Sequence, residues 1–179
     1  MLRYFCCYVL LLYCFYQQAF TAQYDIKMKG FDEVESSNPY FNFKYMKLTK
    51  INKTHMCFNG LVEVKRDDLS ADKLKINIKG YQKYPNGWQV SPLLYLEKKL
   101  LCETVETEKM IVPDIIAASN YTKDKCPPAK GVYSFTNYMP DPDKLPENIP
   151  GEQWKVSIDI LDDVQILSTV NTYFNIIRH

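Results

Sequence analysis

Few side chains in this sequence have the type and spacing that catalysis or metal binding requires. Two histidines, His55 and His179, give no basis for a histidine-centred triad or a histidine-rich metal site. Paired acids occur at Asp141 with Asp143 and at Asp162 with Asp163. Such pairs could hold calcium, or act as the acid and base of a glycosidase. Their settings are a proline-rich loop and the end of an alternating strand, which are the ordinary places for solvated turn acids. A glycosidase would also need a cleft that larger folds usually build. No glycine-rich phosphate loop, HExxH, CxxC, GxSxG or EF-hand spacing occurs. The basic residues between Lys44 and Lys53 alternate with Tyr45, Met46, Leu48 and Ile51, the pattern of a solvated strand face before that of an anion site. The expectation is a protein without catalytic activity, cofactor or metal. An extracellular hydrolase would be revived only by a buried carboxylate pair in an open cleft.

Charge and composition narrow the classes further. The 22 Lys+Arg nearly balance 21 Asp+Glu, whereas a nucleic-acid binder normally carries a basic excess gathered on one face. Hydrophobic residues at 46% and aromatics at 14% are enough to bury a core, which excludes a disordered chain.

Residues 1–22 read as an address. Arg3 supplies a positive start, and the run from Tyr4 to Tyr16 is apolar and aromatic for about 13 residues, short of the roughly 20 that span a bilayer. Small residues at Ala19, Thr21 and Ala22 place cleavage after Ala19 or Ala22. A retained signal anchor is the alternative, opposed by Gln17 and Gln18, which end the run early. Residues 23–179 would then form one secreted domain, with no second apolar stretch of spanning length.

Removing residues 1–22 leaves three cysteines, Cys57, Cys102 and Cys126, and with Arg3 gone the net charge is zero. In an oxidising compartment two of the three should pair. Cys102 with Cys126 is the expected pair, because both flank one irregular, polar, loop-like segment. Closing a loop of roughly 25 residues is worth about 3–4 kcal/mol in the chain-entropy account. Cys57, in the apolar run MCFNGLVEV, is then either a buried free thiol or, if exposed, the site of an intermolecular disulfide. Two sequons, at Asn52 and Asn120, sit in hydrophilic stretches between apolar runs and predict glycosylated surface loops.

The elements that would carry these residues are strands. Leu74, Ile76 and Ile78 alternate with Lys75, Asn77 and Lys79; Val62 and Val64 alternate with Glu63 and Lys65; Trp154, Val156, Ile158 and Ile160 alternate with Lys155, Ser157 and Asp159. The C-terminal segment places Val164, Ile166, Val170, Phe174 and Ile176 on one parity, interrupted by Ser168 and Thr172. Less regular candidates are 24–29, 41–49, 89–96 and 131–138. About eight strands follow, punctuated by Asn59-Gly60, Pro85-Asn86-Gly87, Pro127-Pro128 and the run from Pro140 to Gly151. Helix signals are few: Asp67–Lys75 starts like a helix but merges into a strand, and Asp114–Asn120 could form one or two turns after Pro113. The pattern predicts an all-β sandwich or barrel.

The remaining signal is apolar surplus. If two sheets splay apart, the space between them can hold an acyl chain or another apolar molecule. Trp88, Phe135, Trp154, Ile158 and Phe174 are the candidates to line it. Periodicity alone leaves a filled core equally open.

Three features together carry a family resemblance: LLYLEKKLLCETVE, ending around Cys102; Cys126-Pro127 followed by KGVYSFTNY; and Leu145-Pro146 with Ile149-Pro150-Gly151-Glu152-Gln153-Trp154 running into WKVSIDIL. This order resembles insect CheB-type chemosensory proteins and related fly secreted domains, and is similar to the ganglioside activator and ML lipid-recognition superfamily. The resemblance implies an immunoglobulin-like β-sandwich with a ligand cavity, and a carrier or presenter of a hydrophobic small molecule or lipid in pheromone or taste perception. A membrane receptor or channel on sensory cells would be a further partner, and nucleic acid would not. Cys102–Cys126 fits that family's pattern. The shortage of cysteines departs from the ganglioside activator, which has several disulfides. The competing expectation is a secreted interaction module: the same sandwich with a filled core, acting as a receptor ligand.

Overall fold

The computed structural model describes residues 24–34, 36, 39–53, 55–146 and 148–178. The expected signal peptide, residues 1–22, lies outside the described residues, as does Thr54 of the first sequon.

Alternating residues do form strands here, and the strands form two antiparallel sheets, an all-β sandwich. The larger sheet has the order β1-β9-β8-β5-β6: β1 (Tyr24–Val34), β9 (Gln165–Arg178), β8 (Gln153–Asp162), β5 (Leu74–Tyr84) and β6 (Gly87–Leu100). The smaller sheet has β4 (Met56–Val64) at its centre, with β7 (Gly131–Tyr138) along one edge. Along the other edge lie β2 (Phe41–Asn42) and β3 (Lys47–Lys50), which meet opposite ends of β4. The single strand expected over 41–49 is therefore two, broken by a turn at Lys44 and Tyr45, and this makes nine strands among the described residues rather than about eight.

Gly60 on β4 explains how that turn can lie so close. Its φ is +143°, and a Cβ there would collide with the Tyr45 carbonyl oxygen and stand 2.9 Å from Met46 Cα. The register of β4 against β7 shifts at the same place, between Phe58 and Gly60.

The inward faces follow the two-residue period. Leu74 and Ile78 of β5 are fully buried, and Ile26 and Met28 of β1, Trp154 and Ile160 of β8, and Phe174 and Ile176 of β9 join them in one core with Phe58 and Val64 of β4. At roughly 25 cal/mol per Å² of apolar surface removed from water, such side chains contribute about 1.5–3 kcal/mol each. The C-terminal parity holds from Ser168 onward and fails before it. Val164 is 70% exposed in the β8–β9 turn, and Ile166 is 52% exposed because β9 shifts register against β8 between Ile160 and Leu161, leaving Leu167 as the extra, buried residue.

A further irregularity shapes the interior. Lys79 pairs with Tyr95 but the next residue, Gly80, pairs with Ser91, so residues 92–94 leave the β6 ladder. Pro92 has no N–H to give that ladder. Leu94 swings over Gly80, where a Cβ would lie 3.1 Å from the Leu94 Cβ and 3.6 Å from the Trp154 ring.

The segment between β6 and β7 differs from its expectation. It contains α1 (Leu101–Thr107), where a loop was expected, and α2 (Val112–Ala117), which overlaps the one or two turns expected over Asp114–Asn120, followed by an irregular stretch to Ala129. Pro113 occupies the first turn of α2. A disulfide joins Cys102 on α1 to Cys126, with Cα atoms 5.5 Å apart, and so pins this helical segment at both ends. No helix among the described residues is long and apolar enough to cross a membrane.

Candidate functional site

Between the sheets the packing is incomplete. Two adjoining cavities lie there, with volumes of about 160 Å³ and about 170 Å³. They share Phe43, Val62, Ile115, Phe135, Ile158 and Val170 as wall residues, so these side chains stand as a waist between two adjoining lobes. Either lobe alone approximates the roughly 150 Å³ that accommodates a benzene in an engineered apolar cavity. Together they reach the lower end of the roughly 300–1,000 Å³ typical of ligand clefts.

The first lobe is walled by Trp154, Val156, Phe174 and Ile176 from the large sheet and by Phe58 and Tyr138 from the small one. Met110 and Ile111 close it from the α1–α2 connection, and Pro140, Leu145 and Pro146 from the strap that leads from β7 towards β8. Trp154 and Phe174 stand directly opposite each other on β8 and β9, as do Ile158 and Val170, so the alternation of two neighbouring strands places four large apolar groups on one wall. The Trp154 indole N–H donates to the Pro150 carbonyl at 3.1 Å, which fixes the ring and satisfies its only donor.

The second lobe is bounded by Ile76, Ile78 and Ile160 of the large sheet, by Val64 and Tyr133 of the small sheet, and by Leu101, Thr104 and Val105 of α1 with Val112 and Ile116 of α2. The residues of α1 were not legible as wall residues while that part of the segment read as loop. Leu101, Thr104 and Val105 have the i, i+3, i+4 spacing that puts one face of a helix against a core, and that is the signal which finds them.

Among the described residues Asp141 is the only charged one on the walls of either lobe. Its Oδ1 accepts the Asp143 backbone N–H at 3.0 Å, capping the one-turn helix Pro142–Lys144. Burial drives the Tyr138 hydroxyl well above the usual tyrosine range, and pushes that of Tyr40 up to about 12.

Of the five residues expected to line such a space, Phe135, Trp154, Ile158 and Phe174 are brought together on its walls, Phe135 and Ile158 at the waist. Trp88 is placed elsewhere. It pairs with Lys83 across the tight β5–β6 turn, so it shares that residue's outward face. There its ring lies 5.9 Å from that of Tyr173, with Lys83 Nζ 5.1 Å and Lys155 Nζ 5.9 Å from its centroid.

The remaining singled-out residues are accounted for by structure. Cys57 is 1% exposed and free, and its thiol lies 3.4 Å from Asn137 Oδ1 and accepts from Asn59 Nδ2 at 3.0 Å. It is the buried thiol of the two readings. Asp163 pairs with Lys75 at 2.5 Å, and the His55 Nε2 lies 2.8 Å from Asp25 Oδ1. Among the described residues no group of three or more His, Cys, Asp or Glu side chains could hold a metal ion. Asn52 and Asn120 are exposed, and Asn120 Oδ1 accepts the Ser134 backbone N–H at 2.9 Å.

Fold and site thus define a β-sandwich with an apolar space between its sheets, half covered by a disulfide-pinned helical segment. No family model matches the chain, and no curated protein matches it.

Proposed function

We propose that the protein is a secreted, non-catalytic carrier or presenter of a hydrophobic small molecule or lipid, held between the two sheets and serving chemosensory, pheromone or taste perception. The observation that carries the binding part of this reading is the two-lobed space walled almost wholly by aliphatic and aromatic side chains. Affinity would come from burying the ligand's apolar surface, about 0.8 kcal/mol per methylene. The chemosensory setting and a receptor or channel on sensory cells as onward partner rest on the sequence resemblance, which is an argument by analogy. Secretion is supported by the disulfide, the two exposed sequon asparagines and the character of residues 1–22.

The test is native mass spectrometry of the full chain from a eukaryotic secretory host, followed by organic extraction. A discrete adduct that partitions into the organic phase is the expected result. A mass of polypeptide plus glycans alone, together with failure to take up any apolar dye, would sink the carrier and restore the interaction module.

A further inference from the structure

The β5–β6 hairpin carries charge and exposed apolar groups that the fold does not use. Residues 79–100 contain four lysines and one glutamate, a net of +3 in a chain whose total is +1. Cross-strand pairing puts Trp88, Val90 and Tyr95 of β6 on the outward face of the large sheet, opposite Lys83, Tyr81 and Lys79 of β5. Lys155 of β8 stands opposite Tyr81 on its other side. Glu97 neutralises Lys79 at 2.9 Å. Lys83 and Lys155 have no carboxylate partner among the described residues, and their ammonium groups lie 5.1 Å from the Trp88 ring centroid and 4.1 Å from that of Tyr81. The acids of the same face are engaged: Asp159 by Asn77 and Thr169, and Asp32 by Asn171.

The apolar groups beside these lysines face water. Val90 and Tyr95 are 49% and 46% exposed, and Leu93 on the displaced stretch of β6 is 40% exposed. Leu93 is also a wall residue of the first lobe, so one side chain borders both the cavity and the solvent. β6 is the edge of its sheet, but Pro92 and the departure of residues 92–94 from the ladder break that edge, which makes it a poor template for a strand of another chain. A sulfated glycan would satisfy the lysines and leave Val90 and Leu93 in water. A bilayer with anionic headgroups satisfies both, since phosphates meet the ammonium groups, aliphatic ends enter the interface, and Trp and Tyr rings suit its boundary.

We propose that the outward face and edge of the β5–β6 hairpin dock on an anionic lipid bilayer, and that the apolar ligand passes between the bilayer and the first lobe at Leu93. This rests on the carrier reading and deepens it by naming the partner and the route.

The experiment is sedimentation of the full chain with vesicles of phosphatidylcholine alone and of phosphatidylcholine mixed with phosphatidylserine. Binding should favour the mixed vesicles and weaken as salt is raised. Lys83→Gln with Lys155→Gln should lower it by about 25-fold, roughly fivefold for each lysine, whereas Lys83→Arg with Lys155→Arg should retain it. A second arm follows phenylnaphthylamine dye leaving mixed vesicles that also hold a quencher. Transfer to the wild type should speed up as vesicle concentration rises, and the glutamine variant should lose that dependence while taking up free dye from buffer as the wild type does. Equal binding to both kinds of vesicle, or a glutamine variant that binds and loads like the wild type, overturns the inference and leaves the carrier standing. Binding to neither vesicle, with a dimer in sedimentation velocity, gives the face to a second copy of the chain and overturns it as well. Failure of the wild type to take up free dye overturns the carrier and the loading route together.

Discussion

The carboxylate of Asp114 on α2 is gripped by two groups of the strap that follows β7: the Lys144 ammonium on one oxygen, and the Asp141 backbone N–H on the other at 3.1 Å. Asp114 is only 14% exposed, and its bond holds the Lys144 ammonium above the usual lysine range. Helix and strap both wall the first lobe, through Ile115 on one side and Pro140, Leu145 and Pro146 on the other, so this contact ties its cover shut.

Breaking that tie should speed ligand exchange. Asp114→Ala removes two charge-assisted bonds and is expected to lower stability by about 2 kcal/mol, with a faster dye off-rate in stopped-flow displacement. Lys144→Met should raise the off-rate less, since the Asp141 N–H keeps its acceptor. Off-rates equal to wild type in both variants would show that the cover opens elsewhere.

The disulfide should matter to the cavity as well as to the fold. Cys102 and Cys126 bracket both helices, whose residues Thr104, Val105, Ile115 and Ile116 wall the second lobe. Replacing both cysteines by alanine is expected to cost about 3 kcal/mol in a denaturant titration. Dye affinity should fall further than that of a variant equally destabilised in the large sheet, such as Leu74→Ala. Equal losses would mean the helices hold their place without the crosslink.

Much of this architecture is written in the two-residue period. Leu74-Ile76-Ile78 and Trp154-Val156-Ile158-Ile160 name their buried faces directly, because β5 and β8 pair with each other in the interior of the sheet without a register shift. The misplaced residues sit where the period is broken. Val164 and Ile166 precede a register shift, and α1 hides in a short segment where propensity is weak, whereas Pro113 marked the turns of α2. Trp88 fell between: its parity could be had only through its partner, Lys83, and a two-residue turn at Pro85-Asn86 fixes that pairing in the sequence. Whether the sheets close on a full core or stand apart was not legible, since the same apolar residues serve either.

Alkaline pH should unfold the protein through buried tyrosine. Tyr40 is 1% exposed, its hydroxyl donates to the Pro128 carbonyl at 3.1 Å, and burial first, then neighbouring Tyr133, Tyr121 and Asp68, raise its pKa to about 12. The unfolded chain ionises near the ordinary tyrosine value of about 10, so above that pH it binds fewer protons than the folded state. Stability is therefore fully present below about pH 10 and declines from there to about pH 12, at roughly 1.4 kcal/mol per unit for this group. Urea titrations across that window should show the decline, and Tyr40→Phe should make it shallower, with buried Tyr138 keeping a contribution of its own, while weakening the protein at neutral pH. A decline of the same slope in Tyr40→Phe would assign the effect to other groups.

The waist offers a way to separate the cavity from the fold. Ile158 and Val170 face each other across β8 and β9, and both belong to the walls of both lobes. A larger side chain here grows into existing space, so Ile158→Trp should meet less strain than the roughly 1–3 kcal/mol of an overpacked core. The sheets should therefore form as before, with an unchanged far-ultraviolet circular dichroism spectrum, while dye uptake drops at least tenfold because the passage between lobes is filled. Ile158→Ala makes the opposite change: it enlarges the waist, loses about 2 kcal/mol or more of packing, and should admit bulkier dyes. If Ile158→Trp folds and still takes up dye at wild-type affinity, the dye occupies some other surface. The exposed aromatic and lysine face around Trp88 and Lys155 would then be the place to look, since it carries rings and cations within 6 Å of one another on the opposite side of the same sheet.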